Sequence, residues 1–210
     1  MTAYLNTGTS GPLPRGAAEA IEHAMWREVD LGRASPSGLP DYAPMVQDTR
    51  QRLATLIGAD VAEVALTDST THGINAIVWG LPWQSEDEVL TSTVEHPGIV
   101  APLHHLARRT GVSLRTVVPD AIACSVTDHT RLVAVSHVSF STGARLPIEE
   151  IAYAAHQQGA LLLVDGAQAV GAVPVDVHAL DVDAYAFPGQ KWLCGPEGIG
   201  ALYVLSLIHI

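Results

Sequence analysis

Lysine is almost absent from this chain of 210 residues. Ten arginines carry nearly all the positive charge, and the one lysine is Lys191. Bases are scarce altogether: 11 stand against 22 acids, a formal charge of −11. That deficit works against nucleic acid or an anionic membrane surface as a partner. Cysteine is scarce too. Cys124 and Cys194 are too few for a disulfide framework and suit a reducing compartment. No apolar run is long enough to span a bilayer, and the first residues show no basic segment followed by a long apolar one. The expectation is a cytoplasmic protein with neither membrane nor nucleic acid as partner.

What is present is material for a core. Hydrophobic residues make up 48% of the chain, and the length suits one sizeable domain. Ala20, Ile21, Ala24 and Met25 recur at helical spacing, so a helix is predicted over 17–29. Residues 33–44, punctuated by Pro36, Pro40 and Pro44, read as an irregular loop. A second helix is predicted over 46–57, closed by Gly58. Beyond it the chain alternates. Strands are predicted over 63–66, 89–91, 114–118, 132–135, 161–164, 184–187 and 200–205. Helices are predicted over 71–81, 97–109 and 147–158. The unbroken apolar runs Leu132–Val135 and Leu161–Val164 read as strands buried on both faces. Such alternation predicts an α/β fold with a mostly parallel sheet, whose ligands sit at the carboxyl ends of the strands.

Four segments follow predicted strands and carry chemistry. Asp68-Ser69-Thr70-Thr71-His72-Gly73 opens a helix with hydroxyls, which suits an anion seat or a simple cap. In Val94-Glu95-His96-Pro97-Gly98, His96 could stack on an aromatic ligand or move protons. In Leu163-Val164-Asp165-Gly166-Ala167-Gln168, a carboxylate stands at the tip of a buried strand, where it needs a partner. Lys191 follows one strand later, so it should reach the same sheet edge as Asp165. Lysine, unlike arginine, can lose its proton and form a Schiff base. A phosphate seat, a stacking histidine, a carboxylate and a lysine are together what pyridoxal phosphate requires. Competing readings are weaker. His104 and His105 are adjacent and point about 100° apart on a helix, so they do not share a metal. Gly195-Pro196-Glu197-Gly198-Ile199-Gly200 lacks the glycine spacing of a nucleotide loop. No metal is expected.

From Tyr4-Leu5-Asn6 to Tyr203 the sequence resembles the class V aminotransferase family of fold-type I pyridoxal-phosphate enzymes. It is most similar over Leu161–Val170 and Lys191–Gly200, on the side of the cysteine desulfurases and selenocysteine lyases. The resemblance implies that Lys191 holds the cofactor aldehyde as an imine and later moves protons. It implies that His96 stacks on the ring and shares the catalytic work. Asp165 then pairs with the pyridine nitrogen, Gln168 bonds the phenolate oxygen, and Thr70 and Thr71 bind the phosphate. Gln190 falls in the cofactor site where the desulfurase pattern has histidine. That pattern has Ser-Gly-His where this chain has Pro188-Gly189-Gln190, and an asparagine where it has Phe140. Its nucleophilic cysteine lies on a loop well beyond the lysine. The departures favour transaminase, epimerase (isopenicillin-N-epimerase-like) or C–S lyase chemistry on an amino acid, with cysteine desulfuration as the alternative.

The resemblance also implies a homodimer and a small C-terminal domain. The expected division is an N-terminal arm and helix over 1–45 and an incomplete cofactor-binding large domain over 46–204. Residues 205–210, Leu-Ser-Leu-Ile-His-Ile, match one reading frame of a common sequencing-library adapter and are expected to be a non-native tail. A chain stopping there is expected to be unstable or inactive by itself.

Overall fold

The computed structural model describes residues 3–33 and 42–205. The chain forms α1 (Arg15–Leu31), α2 (Ala43–Ile57), β1 (Val64–Thr67), α3 (Thr70–Gly80), β2 (Glu88–Ser92), α4 (Pro97–Thr110) and β3 (Ser113–Val117). It continues with α5 (Ile122–Ser125), β4 (Thr130–Ser136), α6 (Ile148–Gln157), β5 (Leu161–Asp165), β6 (Ala184–Pro188) and β7 (Gly200–Val204). Of the predicted loop over 33–44, residues 34–41 lie outside the described residues, as do 206–210 of the expected tail. Leu205 is described; its N–H donates to the Asp183 carbonyl.

Seven strands make one sheet in the order β1-β7-β6-β5-β4-β2-β3. The pairs β2–β3, β2–β4, β4–β5 and β5–β6 are parallel, while β7 runs antiparallel to both β6 and β1. The sheet is therefore mostly parallel, as the alternation predicts. Two details differ. Glu63 ends a short 3₁₀ turn rather than opening β1, because its carboxylate accepts from the Asp60 N–H in a capping box. The helix predicted over 46–57 begins earlier, at Ala43, so Pro44 stands in its first turn rather than in the predicted loop.

The period of two along the strands splits the core between two faces. Val133, Val135, Leu162, Val164, Tyr185 and Phe187 pack on one side with α2 and α6. Leu132, Ala134, Leu163, Ala184 and Ala186 pack on the other with α3 and α4. Small residues on the second face let α3 lie close. A Cβ on Gly73 would stand 3.0 Å from the Ala186 Cβ. Asp165 pairs with Ser136 on one side and Ala186 on the other, so all three share the α3/α4 face. The helices whose first turns carry Thr70, Thr71 and His96 thus lie over the strand end that carries Asp165.

The opposite end of the sheet is tied by His156. Its Nδ1 lies 3.2 Å from Asp181 and its Nε2 2.9 Å from Asp183. Asp183 also accepts from the Leu162 N–H at 2.7 Å. Burial pulls the imidazole pKa down, but the two carboxylates outweigh it and hold the pKa above the usual 6.5. Only the doubly protonated ring can donate to both. Its stabilisation is therefore complete below about pH 6.5 and fades as pH rises through the folded-state pKa. His156→Ala should cost about 1 kcal/mol at pH 5.5. Denaturant titrations of both proteins should show that difference shrinking by pH 8.5.

Candidate active site

At the carboxyl edge of the parallel strands lies a cleft of about 540 Å³. His96, Gln168 and Lys191 line it, together with Asn6, Gly8, Phe140 and Trp192. His96, Gln168 and Lys191 each follow a strand end. β5 ends in Asp165 and turns through Gly166, where a Cβ would overlap the Tyr185 ring. Only glycine lets the chain pass this ring and carry Gln168 to the cleft. β6 ends at Pro188, and three residues on stands Lys191. The loop is knotted by main-chain bonds from Gly195 N to Gly189 O at 2.8 Å and from Cys194 N to Lys191 O at 3.0 Å. The N-terminal strand of chain crosses it: Gly11 N donates to Gln190 O at 2.6 Å.

Asp165 is 5% exposed. Its Oδ1 accepts from the Ala167 N–H at 2.8 Å, and no side chain bonds to it among the described residues. Burial drives its pKa up; the Ala167 N–H and the positive charges of Lys191 and His96 oppose that rise without cancelling it. Half-buried Lys191 is pushed the other way. Burial lowers its pKa, and Asp165 only partly restores it. Both groups are thus driven toward their neutral forms, the carboxyl awaiting a cationic or N–H partner and the amine ready as a nucleophile.

His96 caps α4. Its Nδ1 accepts from the Gly98 N–H at 3.0 Å. The ring is exposed and meets Phe140 edge-on, 5.0 Å between centroids at 86°. Thr71 lies beside it, for a Cβ on Gly98 would stand 2.6 Å from Thr71 Oγ1 and 3.0 Å from His96 Nδ1. Ser69 caps α3 by accepting from the His72 N–H. The N–H groups of Thr70 and Thr71 precede any intrahelical acceptor and remain for an anion.

Of the seven residues singled out, His96, Gln168 and Lys191 line the cleft. Asp165 lies buried beneath, within electrostatic reach of Lys191 and His96. Thr70 is buried and Thr71 exposed at the start of α3, outside the lining. Gln190 is outside it too, yet its Oε1 is buried with no hydrogen-bond partner, an amide with capacity left for a ligand. Gln168 is already engaged. Its Nε2 donates to Gly8 O and its Oε1 accepts from Trp192 Nε1, both at 2.8 Å; one N–H of the amide stays free.

The residues Asn6–Thr9 and Trp192 were not singled out from sequence. The only signal was turn chemistry in Asn6-Thr7-Gly8, which folds with Thr9 N donating to Asn6 O at 3.0 Å. Glu95, quoted beside His96 without a role, is buried. Among the described residues, no group of three or more His, Cys, Asp or Glu side chains could hold a metal ion. No helix among them is long and apolar enough to cross a membrane.

The profile described as "Aminotransferase class-V" matches residues 5–208. The chain belongs to the class-V aminotransferase family. A probable cysteine desulfurase of Methanothermobacter thermautotrophicus is 34% identical over 209 residues, covering 95% of this chain and 52% of the relative. A cysteine desulfurase of Shigella sonnei is 42% identical over 216 residues, with 96% and 53% covered. Among solved structures, a complex of the cystine C–S lyase C-DES with its reaction product cysteine persulfide superposes with a TM-score of 0.91 at 35% identity. That match covers 98% of this chain and 57% of the other. A mutant of C-DES with glycine covalently linked to its pyridoxal-phosphate cofactor superposes with a TM-score of 0.90. The chain spans about half the length of the curated relatives it matches. The family uses pyridoxal phosphate.

The residues present fit that cofactor: a buried carboxyl without a side-chain partner, a depressed lysine, an unspent Gln190 amide and free N–H groups at a helix start. Asp165→Asn should remove the buried charge and keep the Ala167 bond. It should stabilise the cofactor-free chain by about 1–2 kcal/mol at pH 7. Because the carboxyl pKa is raised, that gain should vanish as pH falls toward the usual 3.8, which thermal melts can follow. Gly166→Ala should instead cost about 3 kcal/mol through overlap with Tyr185, as denaturant midpoints would show.

Proposed function

We propose that this fold serves a pyridoxal-phosphate-dependent carbon–sulfur lyase acting on a sulfur amino acid such as cystine or cysteine. The observation that carries the proposal is the cleft itself: the depressed amine of Lys191 opens into it beside the buried carboxyl of Asp165. The likeness to the cystine C–S lyase supports the reaction class. Bound pyridoxal phosphate supplies an electron sink for negative charge developing at the substrate α-carbon. Lys191 would hold its aldehyde carbon, and Asp165 its ring nitrogen. His96 would stack on the ring, and Gln168 would use its free N–H on the phenolate oxygen. Thr70 and Thr71 would surround the phosphate, and Gln190 would lie against the cofactor.

The work of the chain's own residues follows from their placement. Lys191 Nζ, its pKa lowered by burial, would take and return a proton at the substrate α-carbon. Asp165 keeps its charge only against a cation, so it favours a protonated ring nitrogen. Phe140 and Trp192, 47% and 37% exposed, wall the mouth with apolar surface and suit a thioether or disulfide side chain.

A desulfurase reading is favoured by the curated relatives, and would require a nucleophilic cysteine. Cys124 and Cys194 are both free, and neither lines the cleft. The proposal includes a homodimer and a cytoplasmic setting. The exposed apolar Met25, Trp26 and Val29 of α1 and the two free thiols support it.

Incubation with pyridoxal phosphate followed by borohydride should label the peptide containing Lys191, seen by mass spectrometry. Lys191→Ala and Lys191→Arg should abolish the label. The whole protein should release persulfide sulfur from cystine, falling at least about 10³-fold in Lys191→Ala. Labelling elsewhere, or amino transfer without sulfur release, would overturn the reading.

A further inference from the structure

The geometry points to Glu95 as the positioning residue that sets where His96 stands relative to Asp165. The inference rests on the proposed role of His96 at the cofactor ring. Glu95 is 7% exposed and sits in the turn between β2 and α4. Its Oε1 accepts from Ser92 Oγ, at the end of β2. Its Oε2 accepts from the Ser136 N–H at 2.8 Å and from Ser136 Oγ. Ser136 closes β4 and is the register partner of Asp165 on β5. One carboxylate therefore ties the residue before His96 to the strand pair that carries Asp165.

Three constraints converge on the imidazole. The Gly98 cap turns the ring, and Phe140 meets it edge-on. Neither joins it to Asp165; Glu95, through Ser136, does. No cation faces the Glu95 carboxylate among the described residues. Burial raises its pKa, three donors oppose that, and the charge of Asp165 adds to the rise. A carboxylate buried without a counter-ion is costly, and here three donors offset part of that cost. What the carboxylate adds is direction. It accepts from two strand ends at once, and so fixes the height of the turn above the sheet.

The test is a double-mutant cycle on the binding of pyridoxal phosphate to the whole protein, followed by absorbance. Glu95→Gln should weaken binding about tenfold while the melting temperature stays within a few degrees. In a His96→Ala background the same change should alter binding less than about twofold, because its effect passes through His96. Equal weakening in both backgrounds would overturn the inference and leave Glu95 a structural tie. Should Glu95→Gln fail to fold, Ser136→Ala keeps the Ser136 N–H bond and enters the same cycle with the same two outcomes.

If the wild-type whole protein does not bind pyridoxal phosphate, the functional reading fails, and the imidazole NMR signal of His96 decides the positioning role. Assigned by its loss in His96→Ala, that signal should shift or broaden in Glu95→Gln while that of His156 stays in place. An unchanged His96 signal would overturn the inference.

Discussion

A carboxylate buried at the end of a parallel strand is the constraint around which this structure is arranged. Asp165 closes β5, shielded from water, with one main-chain N–H as its hydrogen-bond partner. Isolated carboxylates are not stable in such surroundings. The fold answers with proximity rather than contact: Lys191 and His96 stand near enough for their charges to be felt, without neutralising it. Ala186 is small enough to pass alongside, and Gly166 leaves room for Tyr185 below. On the far face Tyr185 bonds His137 Nδ1 at 2.8 Å, and Arg145 Nε donates to His137 Nε2 at 3.2 Å. Burial and Arg145 hold His137 down at about 4, so its imidazole is neutral at neutral pH and Arg145 is the cation of that layer. The unspent charge of Asp165 is kept for a ligand.

Lys191 is the complement. Its loop is built from main-chain bonds and tight glycines, and Cys194 adopts the left-handed φ of 55° to close it. The N-terminal segment crosses over this loop, and Gly11 has no room for a Cβ above the Lys191 carbonyl. The amine lies partly buried at the cleft, and that burial is what lowers its pKa. An arginine here would stay charged and could not serve as a nucleophile. That is a physical reason for a chain with ten arginines to keep one lysine at this place.

Stability and function pull in different directions at this edge. Asp165 and Glu95 are two carboxylates raised by burial, and the charge of Asp165 adds to the cost at Glu95. At the opposite edge Asp183 has the His156 counter-charge and the Leu162 N–H. The contrast separates a site that withholds pairing from a clasp that completes it.

Much of this was legible in the sequence for local reasons. Unbroken apolar runs mark β4 and β5, Pro97 marks the start of α4, and Gly58 ends α2 in the left-handed conformation. The family resemblance rested on residues next to strand ends, and the class-V profile bears it out. Strand periodicity also places Asp165 and Lys191 at one edge, because parallel neighbours present their ends together. Other features depend on contacts between segments far apart in the chain. Gln168 meets Gly8, Glu95 meets Ser136, and Trp192 reaches Gln168. Nothing local in Asn6–Thr9 announces that it walls a cleft. By itself the sequence determined the elements and their chemistry, because propensity and hydrophobic period act over a few residues. Only the tertiary structure decided which polar groups stay unpaired, and so which ones a ligand can use, because burial and pairing belong to the packed whole.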